Sequence, residues 1–187
     1  GTGKSSGWEC LLEKNKGRLT GWISYTLLYS TRQFFGLNNG LEFPSRYDRR
    51  HNVYLVGTYK MNSSWNLSAT WVYNSGFAYT LPVGIYPSIS SNDPMKDVYV
   101  YGSRNNKRAA DNHRLDLSLS YTAISKKIKI SEKRHAVKRI LTFGIYNVYN
   151  RHNQFYMTLG TSNDGSRKLY QVSLLPFMPF ISYQWVF

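Results

Sequence analysis

Catalysis needs titratable or nucleophilic groups gathered at one point, and this chain offers few of them at a usable spacing. Its four histidines, His51, His113, His135 and His152, show neither the His-x-x-x-His nor the His-Glu-x-x-His spacing with which a helix holds zinc. Cys10 is the only cysteine, so there is no cysteine zinc site and no internal disulfide. Asp111 and His113 lie near Ser118 in the sequence, but Ser118 belongs to an alternating strand segment. Strand alternation does not bring an acid, a base and a nucleophile together. No catalytic residue, metal or cofactor is expected, and the chain is read as a non-enzyme. Arginine is the other source of chemistry, concentrated in residues 46–50 and 104–108, with a further basic run over 126–139. The 24 Lys and Arg against 10 Asp and Glu leave a formal charge of +14, which invites a nucleic-acid reading. These runs fall between apolar segments, however, where solvated loops beside anionic lipid headgroups account for them.

The elements that must position these groups are read from periodicity. Strict alternation of apolar and polar residues recurs in seven segments, the period of a strand with two different faces. In the clearest, Leu115, Leu117, Leu119, Tyr121 and Ala123 oppose Arg114, Asp116, Ser118, Ser120 and Thr122. Trp65, Leu67, Ala69, Trp71 and Tyr73 form a second such face. The other segments are residues 8–14, 19–29, 53–61, 141–149 and 180–187, and Asn147 interrupts the face of the sixth at a bulge or a membrane boundary. Aromatic residues make up 16% of the chain, with 16 tyrosines, a bias toward surfaces that are apolar at one end and wet at the other. No run approaches the roughly 20 apolar residues of a membrane helix, which excludes a helical membrane protein. A membrane β-barrel remains, because only alternate strand residues must be apolar. Connections alternate short and long: residues 15–18 and 62–64 are tight turns, whereas 30–50, 76–112 and 150–179 are long. Short inner turns and long outer loops are the barrel pattern, although 126–139 is long for an inner turn. A hairpin is expected within 155–175, around Asn163-Asp164-Gly165.

Several motifs, weak singly, are specific in order: Gly7-Trp8-Glu9, Gly17-Arg18-Leu19-Thr20-Gly21-Trp22, Tyr47-Asp48-Arg49-Arg50-His51, His113-Arg114-Leu115-Asp116-Leu117-Ser118, Tyr146-Asn147-Val148-Tyr149-Asn150-Arg151 and the terminal Ile181-Ser182-Tyr183 through Phe187. In this series the chain resembles the C-terminal part of TonB-dependent outer-membrane receptors of the Bacteroidota type, along nearly its whole length. The resemblance implies an all-β fold, an antiparallel transmembrane β-barrel segment of about seven strands, the last third of a barrel of about 22 strands. Residues 1–187 would all belong to that barrel, with the plug domain outside the chain. It implies a bacterial outer-membrane location and TonB-dependent uptake of a nutrient ligand. The implied partners are the rest of the receptor, outer-membrane lipid and lipopolysaccharide, the barrel assembly machinery, TonB through the missing N-terminal part, and a surface lipoprotein. Residues 1–7 lack the apolar core of a signal peptide, so the chain is expected to be a piece of something longer. Asn153-Gln154 stands where the family commonly has Asn-Pro, which bears on that loop's conformation alone. Two other readings stay open, a self-contained or porin-like outer-membrane barrel and a basic soluble β-protein that binds nucleic acid.

Site residues follow. Tyr183, Trp185 and Phe187 are expected to form the C-terminal signal read during barrel insertion, or otherwise a plain aromatic girdle. Arg49, Arg50, His51, Arg104 and Arg108 are candidate contacts for an anionic ligand or lipopolysaccharide, the alternative being arginines that only solvate loop bases. Leu115, Leu117, Leu119, Tyr121, Trp65, Trp71 and Tyr73 are expected to face lipid. Arg114 and Asp116 share a face, which suggests a charge ladder to neighbouring strands.

Overall fold

A computed structural model of the chain describes residues 1–87, 97–124, 128–130, 133–135, 137–164 and 166–186, and statements of absence below refer to these. The protein is all-β and antiparallel, without an α-helix. Seven long strands build the main sheet: β1 (Thr2–Lys14), β2 (Leu19–Gln33), β3 (His51–Lys60), β4 (Trp65–Asn74), β5 (Asn112–Ile124), β6 (Lys138–Tyr146) and β7 (Met178–Val186). They are hydrogen-bonded in sequence order, each to its neighbours in the chain, and the two-residue strand Phe43–Pro44 adds to β2. Among the described residues β1 and β7 each pair on one side only.

Short turns have local causes. Gly17 takes φ 98°, which favours glycine, between β1 and β2. Between β3 and β4 the Asn62 carboxamide oxygen accepts from the amides of Ser64 and Trp65 at 2.9 and 2.8 Å, an Asx turn. The long connections carry structure of their own, including the one expected over residues 76–112. Pro82–Pro87 pairs with Asp97–Tyr101, and Ala78–Tyr79 with Lys107–Arg108. Ile128–Ile130 pairs with Lys133–His135, and the hairpin expected in the last loop forms from Gln154–Thr161 and Arg167–Ser173. Gly165 of its expected turn lies outside the described residues.

Strand ends differ from the alternation most in β1, β2 and β6. β1 starts at Thr2 rather than Trp8 and β2 continues to Gln33 rather than Tyr29. Ladder bonds use backbone groups and accept polar side chains wherever neither face is buried. β6 begins at Lys138 and stops at Tyr146, short of Tyr149, because Asn147 leaves the strand at φ 55°. Asn tolerates that left-handed conformation better than most residues.

The chain divides into two compact units: Gly1–Glu9, Thr26–Asn52 and Asn74–Asp111 form one; Cys10–Tyr25, Val53–Tyr73 and Asn112–Phe187 the other. The first holds a small core of Phe43, Phe77, Ala78 and Ala109, all on short strands and loops. In the second, register decides which side chains share a face, since residues directly opposite on antiparallel strands point the same way. Across β5, β6 and β7 the rows are Leu117–Ile145–Pro179, Leu119–Phe143–Ile181 and Tyr121–Leu141–Tyr183 on one face, bounded by Ala123–Arg139–Trp185. The other face carries Ser120–Thr142–Ser182 and Thr122–Ile140–Gln184, with Phe180 folded over Gly144. The apolar face is uncovered: Phe143, Ile181 and Trp185 are 47%, 66% and 60% exposed. No buried apolar side chain among the described residues lies on any of the seven long strands.

Candidate functional site

The first unit gathers the arginines that the sequence separates. Its centre is Asp48, whose side chain is only 3% exposed. One carboxylate oxygen accepts from the Ser30 amide at 2.8 Å. The other accepts from the Arg108 guanidinium, with Arg50 Nε at 3.7 Å. Arg108 also donates to the backbone carbonyls of Asp48 and Gly76, at 2.6 and 3.2 Å, so one guanidinium ties residues 48, 76 and 108 together. Such bonds to a charged group are stronger than neutral ones, about 1.5–3 kcal/mol net rather than about 1. The turn that presents Asp48 is local: the Ser45 carbonyl accepts from the Asp48 amide at 3.0 Å and the Ser45 hydroxyl from the Tyr47 amide at 3.3 Å.

Gly76 is required where these loops cross. A Cβ there would stand 1.8 Å from the Ala109 carbonyl oxygen, and the Gly76 amide donates to Asp111 at 3.0 Å. Asn105, at φ 53°, closes the other side: its amide donates to Thr80 Oγ1 at 2.9 Å and its carboxamide to the Pro44 carbonyl at 2.7 Å. The result is a cap knitted by polar bonds over a core of four apolar residues. His51 stands at the first position of β3, where its amide donates to the Ser75 hydroxyl at 3.0 Å and its carbonyl accepts from the Ser75 amide at 2.8 Å.

Around this cap the remaining arginines lie on aromatic faces. The Cζ atoms of Arg46 and Arg49 are 5.8 and 5.7 Å from the centroid of the same ring, Phe77, and Arg104 Cζ is 6.0 Å from that of Phe43. Arg50 stacks on Tyr29 at 5.1 Å. The structure thus brings Arg49, Arg50, Arg104 and Arg108 to one unit and adds Arg46, which sequence reasoning did not single out. The three-residue interval between Arg46 and Arg49 in a turn was the available signal.

The second unit contains a polar junction where β6 ends. Asn147 is 1% exposed. Its carboxamide donates to the carbonyls of Arg151 and Leu175 at 3.0 and 3.2 Å, and its oxygen accepts from the Arg151 amide at 3.1 Å. Its own amide donates to Asp116 at 2.9 Å. Asp116 also pairs with Arg114 at 2.9 Å, and Arg114 reaches across to Tyr146, lying 4.0 Å from its ring centroid and donating to its hydroxyl. The contacts to β6 and to Asn147 just beyond it go to a hydroxyl and a backbone amide, whereas the ion pair of Arg114 and Asp116 stays within β5.

On the apolar face Trp65 packs on Tyr121 with centroids 4.9 Å apart, and Trp71 stacks on Tyr73 at 6.1 Å. Leu115 anchors the β6 turn through its carbonyl, which accepts from the Val148 amide at 2.8 Å. Tyr183 and Trp185 meet edge to face at 6.0 Å and are exposed; Phe187 lies outside the described residues.

For catalysis the described residues offer little. No group of three His, Cys, Asp or Glu is placed to hold a metal. Asp111 receives the Gly76 amide, and the His113 ring packs against Tyr149 at 5.6 Å. Gly3-Lys4-Ser5-Ser6-Gly7 has the letters of a nucleophile elbow, but Ser5 sits exposed in the extended run of β1, whereas an elbow requires a sharp strand-to-helix turn. Comparison with known proteins returned no matching family model, no matching curated protein and no matching solved structure.

Proposed function

We propose that this chain is the C-terminal part of the β-barrel of a TonB-dependent outer-membrane receptor, serving uptake of a nutrient ligand. One observation carries the reading: the rows of β5 to β7 on one face of a single sheet are uninterruptedly apolar and uncovered, while the other face mixes Ser118, Ser120, Thr142 and Ser182 with Gln184, Ile140 and Phe180. A continuous apolar surface of this extent is unfavourable in water and suits hydrocarbon. Aromatic Tyr183 and Trp185, with Arg139, border the rows where a bilayer interface would lie. The sequential strand order suits an up-and-down barrel.

The one-sided pairing of β1 and β7 favours a larger barrel over a self-contained one, because an open edge in lipid leaves backbone groups unsatisfied at several kcal/mol each. The remaining strands and the plug of the receptor would cover those edges and fill the lumen. Barrel assembly machinery would insert it, TonB would energise it through the missing N-terminal part, and a surface lipoprotein would be its outer partner. Cell fractionation tests the reading. The protein should sediment with outer membranes, resist high salt, and be released by detergent alone. Recovery in the soluble fraction, with salt-sensitive binding to nucleic acid, would refute it.

A further inference from the structure

We infer that Arg46, Arg49 and Arg104 form a binding site for a phosphoryl-bearing ligand. The inference rests on the receptor reading, in that these loops are taken to face the cell exterior.

The structure sorts the arginines of the cap into two groups. Arg108 is committed to the buried Asp48 carboxylate and two carbonyls, and Arg50 leans on the same carboxylate. Arg46, Arg49 and Arg104 touch aromatic rings and have no carboxylate within ion-pair distance among the described residues. Of the acids of this unit, Asp48 pairs as above, Asp111 accepts from the Gly76 amide and Glu42 from the Thr31 hydroxyl.

Lying over a ring gives these three side chains a neighbour that loose surface arginines lack. A guanidinium on a ring face is held by the ring quadrupole and leaves its N–H groups free along the rim. That in-plane fork matches the oxygens of a phosphoryl group. Arg46 and Arg49 share one ring, so their charges cannot be farther apart than the two stacking distances laid end to end. Arg104 belongs to the same cap, since Asn105 beside it donates to the Pro44 carbonyl next to Phe43. Cations of one unit that lack an ion-pair partner within 4 Å among the described residues repel one another. An anion carrying two or more charges relieves that repulsion and receives forked donors already in place, which favours phosphoryl groups over a single carboxylate.

Such phosphate could belong to a free solute or to a glycolipid headgroup of the outer leaflet, and the test separates them. The intact protein in neutral detergent is titrated with inorganic pyrophosphate, and separately with mixed vesicles of phosphatidylcholine and lipid A. Saturable binding in either arm, weakened tenfold or more by Arg46→Gln with Arg49→Gln and severalfold by Arg104→Gln, is the expected result, and the arm that binds identifies the source. Arg46→Lys with Arg49→Lys keeps the charge and loses the fork, and should also weaken binding severalfold. Protease resistance of the cap, unchanged in each variant, shows that it still folds. Binding in neither arm, or wild-type affinity in the Gln or Lys variants, overturns the site. A soluble protein that nonetheless binds pyrophosphate in this pattern would overturn the receptor reading and leave the site standing.

Discussion

Phe143→Arg separates a face that meets hydrocarbon from one that meets water. Phe143 occupies the middle row, with Leu117–Ile145–Pro179 on one side and Tyr121–Leu141–Tyr183 on the other. Arg139, opposite Trp185, marks the polar boundary four residues away along β6. At a rise of about 3.3 Å per residue that is roughly 13 Å of strand, and at a tilt near 40° roughly 10 Å of depth. This lies close to the midplane of an apolar band about 25 Å tall, where arginine costs about 2–4 kcal/mol. A cost of about 3 kcal/mol is roughly a hundredfold in the folding equilibrium. In water the same change, at a residue 47% exposed, would shift stability by no more than about 0.5 kcal/mol. Thr142→Arg is the control, one residue along on the opposite face between Ser120 and Ser182, and should cost less than about 1 kcal/mol. The assay is folding of the intact protein into phosphatidylcholine vesicles, titrated with urea and read by heat-modifiable electrophoretic mobility. Equal small effects at both positions would refute the membrane assignment of this face.

Arg108→Ala removes the main partner of the buried Asp48 and two carbonyl bonds; the cap should lose about 3 kcal/mol, opening roughly a hundredfold more often, which limited proteolysis within residues 43–50 and 76–80 would measure. Asn147→Ala removes three side-chain hydrogen bonds and puts alanine at φ 55°, at about 3 kcal/mol or more, detectable as faster amide exchange over residues 147–154. Gly21→Ala should disturb the packing of β2 on β3, because at φ 152° its Cβ would stand 2.0 Å from the Val56 carbonyl oxygen; cysteine cross-linking between these strands reads the change. In the last hairpin the Asp164 carboxyl is held below its ordinary pKa chiefly by hydrogen bonds from the Ser166 hydroxyl and amide. A lowered pKa means that this turn's contribution is present above the ordinary carboxylate range and lost as pH falls through the lowered value. Ser166→Ala should move the titration of Asp164 upward in a carboxyl-carbon NMR experiment.

Strands were legible because each one answers the same local demand. A two-faced sheet requires period two whatever its neighbours are, so Leu117, Leu119 and Tyr121 announce their face without knowledge of Leu141, Phe143 or Tyr183. Where that demand lapses the signal lapses with it: Thr2 to Gly7 and Ser30 to Gln33 are strand, yet no alternation marks them. Asn147 was visible as a break in the face, but its role as a hub depends on Leu175, 28 residues downstream.

The cap is the opposite case, and it explains why its arginines looked alike in the sequence. Arg108 finds Asp48 across 60 positions and Asn105 finds Pro44 across 61, contacts that no periodic constraint encodes. Composition alone therefore offers two basic runs of equal standing. Folding breaks that equality, because the one buried carboxylate of the cap takes Arg108 and, at longer range, Arg50, and its single negative charge is already matched. The excess of cation over buried anion leaves Arg46, Arg49 and Arg104 on aromatic rings. A charge kept only for solubility would sit equally well on a mobile stem in water; a guanidinium held over a ring beside the four buried apolar residues of the cap has fewer positions open to it. That prior ordering reduces the entropy an anion must overcome on binding, which is why affinity should depend on the rings as well as on the charges. Phe77→Leu keeps every arginine and most of the core volume while removing the π face. It should weaken pyrophosphate or lipid A binding severalfold with the cap still protease-resistant, and undiminished affinity would show that net charge alone attracts the ligand.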